Sequence, residues 1–269
     1  MLAAATGFLI NHFLSEEQVL AWGWRLPFLF GSLVGVLSYI LRKNIEETPI
    51  FQALEKTKDL PKVPAMELFR QKTRTFLLAS SLTAVAGTFS AIYLFIPSFT
   101  QRYFHLPAQT SYFYSMLIVF VVVLLTMFFG WLSDFYGRRV LLRIGSLWIL
   151  LAALPATYLL SSGHLYSGAL LLAAPAAMIN GCYQAAIIEL FHTRIRFTGL
   201  ALSHNIGMSI FNGLSPMAME KLAEHGVLAA PIILMCIAAS ITLFGSLKIP
   251  CRYRVPLDVI EQADAGVKA

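Results

Sequence analysis

From residue 76 onward the chain is a succession of apolar runs, at about 76–98, 112–132, 140–160, 166–189, 199–218 and 228–247, and one more run, 26–41, precedes them. Each is close to the ~20 residues that an α-helix needs to cross a hydrocarbon core. Inside lipid every backbone N–H and C=O must be bonded within the protein, so runs of this length fold as helices. Composition agrees: apolar residues make up 58% of the chain, charged residues 13%, and the mean hydropathy is +0.71. The expected fold is an all-α polytopic membrane protein, with its core defined by lipid rather than by water. The net charge of +6 does not indicate nucleic acid, because the basic residues are spread over loops and form no patch with interleaved aromatics.

The remaining segments divide the chain. Leu2–Leu14 is apolar but only thirteen residues long. At ~1.5 Å per residue it covers roughly two-thirds of the core, so residues 1–14 read as a membrane helix lacking its first half. Residues 15–25 form a periplasmic loop that opens on Ser15, Glu16, Glu17 and Gln18 and ends in the aromatic belt Trp22-Gly23-Trp24-Arg25. The span 26–42 starts with Pro27 in its first turn and stops at Arg42-Lys43. Residues 43–75 are a polar cytoplasmic linker, 76–248 a bundle of six spans, and 249–269 a cytoplasmic tail. With the turn at 130–139 placed inside the cell, seventeen of the twenty Lys and Arg fall inside, and only Arg25, Arg102 and Lys221 fall outside. Cys182, Cys236 and Cys251 have no ligand-spaced neighbours, so neither a disulfide framework nor a metal site is expected, and nothing calls for a cofactor. The first residues show neither a basic leader region nor a small-residue cleavage pattern.

The turn itself reads Gly130-Trp131-Leu132-Ser133-Asp134-Phe135-Tyr136-Gly137-Arg138-Arg139. Gly130 lets the two flanking helices approach, and Gly137 permits positive φ. Asp134 reads as the start of a helix, where it accepts backbone N–H groups. Arg138 and Arg139 reach toward headgroup phosphates. A charged reverse turn that only fixes topology has the same residue types.

Polar residues inside the spans are the informative ones, because lipid cannot satisfy them. Ser80, Thr83, Gly87 and Ser90 recur at helical spacing, with Tyr93 beside Ser90; Asn180 and Gln184 are i, i+4 neighbours with Tyr183 next to them; Asn205, Ser209 and Asn212 share a face flanked by His204. With Tyr112, Tyr114, Ser115 and Thr126 in span 112–132, these mark four interior-lining helices. The spans 26–41, 140–160 and 228–247 are then the lipid-facing ones. For Ser80, Thr83 and Ser90, helix–helix packing is the favoured explanation. The candidate cavity residues are Ser90, Tyr93, Asn180, Tyr183, Gln184, His204, Asn205 and Asn212. A second cytoplasmic turn runs from Glu189 to Gly199, and an ion pair between Glu189 and Arg196 would brace its ends.

The first turn resembles the G-x-L-[AS]-D-x-x-G-R-R signature of the major facilitator superfamily of secondary transporters, with Phe135 where a basic residue is common. The second resembles that family's E-x-F-P-T-x-x-R-x-x-G segment between the tenth and eleventh helices, with His192 in place of proline. Trp22–Phe28 and Glu46-Glu47-Thr48-Pro49-Ile50-Phe51 are similar to the segments around the sixth helix of the metabolite:proton symporters, the group of bacterial proline/betaine, α-ketoglutarate, shikimate and citrate transporters. The resemblance implies the C-terminal half of a twelve-helix fold in a bacterial inner membrane, with Gly130, Asp134, Gly137, Arg138, Arg139, Glu189 and Arg196 at a cytoplasmic gate. It also implies a small organic acid, amino acid or betaine as substrate, protons as its partner, and a separately supplied N-terminal half. The rival reading is a non-transporting membrane remnant or interaction subunit. An enzyme is not expected, since the chain has no H-E-x-x-H, no G-x-S-x-G and no paired intramembrane Asp.

Overall fold

The computed structural model describes residues 10, 13–43, 64–71 and 73–249. Most of the short first run, most of the linker with its Glu46–Phe51 segment, and the tail lie outside the described residues. The chain forms two compact units, 1–59 and 60–269. Among the described residues every regular element is helical. Among the described residues, six helices are long and apolar enough to cross a membrane.

In the first unit, the expected loop is partly helical. Ser15 caps a short helix, α1 (Glu16–Ala21): its hydroxyl accepts from the Gln18 N–H (3.3 Å), and the Gln18 side chain accepts from the Ser15 N–H (3.1 Å). That is a capping box, and Ser-Glu-Glu-Gln is its sequence form. A 3₁₀ turn, Gly23–Arg25, leads into α2 (Leu26–Lys43), whose last turn carries Arg42 and Lys43 where the helix dipole favours them. The Arg25 guanidinium lies 4.3 Å over the Trp24 ring and donates back to the Ala21 carbonyl (2.7 Å).

The second unit begins with α3 (Pro64–Gln71) and then a crossing in two pieces, α4 (Thr73–Leu82) and α5 (Ala84–Phe104). The hairpin helices α6 (Ala108–Tyr136), α7 (Arg138–Ser161), α8 (Leu165–Ile188), α9 (Thr193–Glu224) and α10 (Ala230–Leu247) follow. The ends of α6, α8 and α10 gather at one basic end. α9 is 32 residues long but too polar to count among the six apolar crossings, because its Ser, His and Asn residues dilute it.

The core lies around α8, which buries Ala173, Ala176, Ala177, Ile179, Cys182, Ala186 and Ile187. Small residues let neighbouring helices close on it. Burial within these residues does not follow the expected division into interior and lipid-facing helices. α10, expected to face lipid, is buried along one side, whereas α6, expected to line the interior, is largely exposed. α10 buries apolar and small residues such as Met235, Ala238 and Ala239, and these carry no hydrogen-bonding signal in the sequence.

Candidate functional site

The basic end is organised by one guanidinium. α6 runs through Asp134 to Tyr136, because no helix breaker precedes Gly137. Asp134 therefore sits in the last turn of a helix and not at the start of one, as expected from the sequence. There the dipole disfavours it, and a cation must compensate. Gly137 makes the turn at φ 88°, as expected, and α7 starts at Arg138. Arg138 Nη2 lies 3.4 Å from Asp134 Oδ1, and Arg138 Nη1 pairs with Glu189 Oε1 at the end of α8. Arg138 thus ties α6, α7 and α8 together instead of reaching for headgroups. Asp134 is exposed, so its pair contributes about 0–1 kcal/mol, whereas the Glu189 pair is more enclosed. Arg139 is half-buried and makes no ion pair among the described residues.

The second turn joins the same end of the bundle. The ion-pair partner that the structure gives Glu189 is Arg138, and Arg196 Nε donates to the Phe191 carbonyl (3.2 Å). The buried Phe191 ring covers Gly199, where a Cβ would come within 2.6 Å of it. His192 precedes α9 with φ −64°, the value a proline ring would impose. Arg143 was read only as an inside charge. Its Nη2 reaches the Ser246 and Leu247 carbonyls (3.3 and 3.4 Å), satisfying the open end of α10.

Gly130 does permit a close helix contact, but with α8 and not with its hairpin partner α7. A Cβ on Gly130 would lie 3.3 Å from the Gly181 carbonyl oxygen. Gly181 was not singled out from the sequence; a glycine in the middle of an apolar span was its signal.

Deeper in the bundle, three of the eight cavity candidates come together. Tyr183 on α8 is buried, and its hydroxyl accepts from Gln184 Nε2 (3.2 Å) and stands 3.4 Å from His204 Nδ1 on α9. The Tyr183 and His204 rings stack, with centroids 6.0 Å apart and planes at 21°. Gln184 is exposed and His204 half-buried, so the cluster runs from the core to an open face. It offers a carboxamide, a phenol and an imidazole in one hydrogen-bonded line, groups that can bind a small polar ligand and hold or pass a proton.

The other five candidates stand apart. Asn180, half-buried, donates to the Ala176 carbonyl of its own helix (3.0 Å), so it does not act with Gln184 as a pair. Asn205 is exposed and donates to Ala201 (2.8 Å), and Ser90 donates to Ala86 (2.8 Å). Asn212 is half-buried where α9 passes Gly87. Tyr93 lines an apolar cavity of about 60 Å³ with Phe89, Ile118, Leu172 and Met235. At the opposite end of the bundle Arg102 of α5 pairs with Glu220 of α9.

Comparison with known proteins agrees on one family. Residues 1–212 match the Major Facilitator Superfamily. The chain is similar to a citrate-proton symporter of Klebsiella pneumoniae, 32% identical over 89% of this chain and 55% of that protein. It is also similar to a proline/betaine transporter of Salmonella typhimurium, 29% identical over 83% of this chain and 47% of that protein. An inner membrane metabolite transport protein of Escherichia coli is 26% identical over 91% of this chain and 58% of its own length. The chain spans about half the length of the curated relatives it matches. No solved structure matches it.

Proposed function

Since the chain belongs to the major facilitator superfamily, in the metabolite:proton symporter group, we propose that it supplies the C-terminal half of a proton-coupled symporter for a small organic acid, amino acid or betaine. The observation that carries this reading is the Tyr183–Gln184–His204 cluster, a polar line linking α8 and α9. Polar groups at such depth are costly unless they serve a ligand or one another. Gln184 offers a carboxamide to a carboxylate or amide, and His204 an imidazole that can donate or accept a hydrogen bond. Relatives named for citrate and for proline and betaine support that substrate class.

Transport in this fold alternates access by rocking two halves around a site between them. Because these residues span about half the length of the relatives, the other half of the fold is supplied in the test by a relative. The Gly137 end is assigned to the cytoplasm of a bacterial inner membrane, and Arg138, with Asp134 and Glu189, acts there as a latch on the closed state. The test is substrate-induced alkalinisation of a weakly buffered suspension of cells expressing this chain joined to the N-terminal half of the citrate or proline/betaine relative. Alkalinisation on adding citrate, proline or betaine, lost with an uncoupler, supports symport. Silence with every substrate and both partner halves favours the non-transporting reading.

A further inference from the structure

The crossing formed by α4 and α5 is interrupted at Thr83 (φ −81°, ψ −7°). Sharp breaks in membrane helices usually follow proline or an inserted group. The segment Ser80-Ser81-Leu82-Thr83-Ala84-Val85 has no proline and no glycine, and the helix proline, Pro97, lies far along α5. Two local back-bonds flank the break, from the Ser81 hydroxyl to the Leu78 carbonyl and from the Thr83 hydroxyl to the Ser80 carbonyl (both 2.7 Å), and a group from another helix is inserted as well. In a continuous α-helix the Val85 N–H donates to the Ser81 carbonyl. Here the Val85 N–H points at Thr242 Oγ1 of α10 (3.4 Å), and the Thr242 hydroxyl donates to the Ser81 carbonyl (3.3 Å). Thr242 is fully buried. The Thr83 N–H takes a tighter path to the Ser80 carbonyl (3.2 Å), and regular bonding resumes from Gly87 to Thr83 (2.8 Å).

Two glycines bring the neighbouring backbones onto this point. A Cβ on Gly245 of α10, one turn beyond Thr242, would overlap the Ser81 hydroxyl, and one on Gly207 of α9 would overlap the Thr83 hydroxyl. The break is thus approached closely from two sides, at Gly245 of α10 and at Gly207 of α9. Every residue in it tolerates helical φ and ψ, so nothing in the segment itself forbids the direct Ser81–Val85 bond. The Thr242 hydroxyl thus links the two backbone groups that flank the break by two long bonds.

We propose that Thr242 is a positioning residue: its hydroxyl bridges Ser81 and Val85 and holds the α4–α5 crossing in an interrupted form, and its withdrawal lets the helix close across Thr83. Closing rotates the segment carrying Ser90 and Tyr93 relative to α4. Only the link to a transport cycle rests on the symporter reading; the hinge stands on the bonds at Thr242.

The test reads the hinge without transport. Spin labels at Leu77 on α4 and Leu94 on α5, both exposed, report the distance across the break in the full chain reconstituted in nanodiscs. Thr242→Val keeps the shape and removes the hydroxyl. It should shift the distance distribution toward the roughly 25 Å of a straight helix over that separation, whereas Thr242→Ser should keep the wild-type distribution. Wild-type distances in Thr242→Val, or the same shift in Thr242→Ser, overturn the proposal. If Thr242→Val does not fold, Thr242→Ala removes the same hydroxyl with less bulk, and a wild-type distribution there is equally fatal.

Discussion

Gly130 and Gly181 place the backbones of α6 and α8 in direct contact: a Cβ added to Gly181 would lie 2.7 Å from the Gly130 nitrogen and 2.7 Å from the Thr126 carbonyl oxygen. Backbone atoms have no rotamer to move into, so the two helices would have to part. Gly181→Ala is expected to destabilise the bundle by ~1–3 kcal/mol, the range for overpacking. Gly130→Ala, which meets its nearest atom at 3.3 Å, should cost less. Unfolding in detergent, followed by the near-ultraviolet signal, gives the order directly; equal effects would contradict the asymmetry.

The ion pair of Arg138 with Glu189 joins helices far apart in sequence, whereas its pair with Asp134 spans a single turn. A double-mutant cycle of Arg138→Gln with Glu189→Gln should therefore give a coupling of about 1 kcal/mol, weakened by salt. The cycle with Asp134→Asn should give less, because Asp134 is exposed.

Tyr183 is the hub of the polar cluster, since its hydroxyl meets both Gln184 and His204. In a complete transporter, Tyr183→Phe should lower uptake efficiency roughly fivefold, the equivalent of about 1 kcal/mol for a lost hydrogen bond. Asn180→Ala should change uptake less, because Asn180 bonds to its own helix. Uptake kinetics of the two variants side by side distinguish the roles.

Orientation follows from the charge asymmetry. In a version lacking native cysteines, a cysteine at Tyr136, next to the Gly137 turn, should be protected from an impermeant maleimide in sealed cells. One at Ser162, at the far end of α7, should react. The reverse pattern would invert the assignment.

The helices were legible in the sequence because lipid leaves the backbone no alternative; what the sequence left open were contacts between helices. Gly137 could be read as a turn residue from its own conformational freedom. Asp134 was misplaced because a helix end is fixed by the next breaker, and Leu132–Tyr136 contain none. Of the polar stripes, Tyr183, Gln184 and His204 converge, whereas Asn180 and Asn205 bond to their own helices, and spacing along one helix cannot distinguish the two outcomes. Thr242 went unnoticed because one threonine in an apolar span looks like packing. Its role depends on Ser81 and Val85, some 160 positions earlier in the chain. Gly181 and Gly245 matter for what lies opposite them, which no local pattern reveals.

The central claim is that this chain contributes one half of a symporter. The direct measurement is uptake of labelled citrate, proline, betaine, α-ketoglutarate and shikimate into proteoliposomes under an inward proton gradient, with this chain alone and with this chain joined to a relative's N-terminal half. The account predicts no saturable uptake by the chain alone and saturable, uncoupler-sensitive uptake of at least one substrate by the joined protein. Saturable, gradient-driven uptake by the chain alone would contradict it.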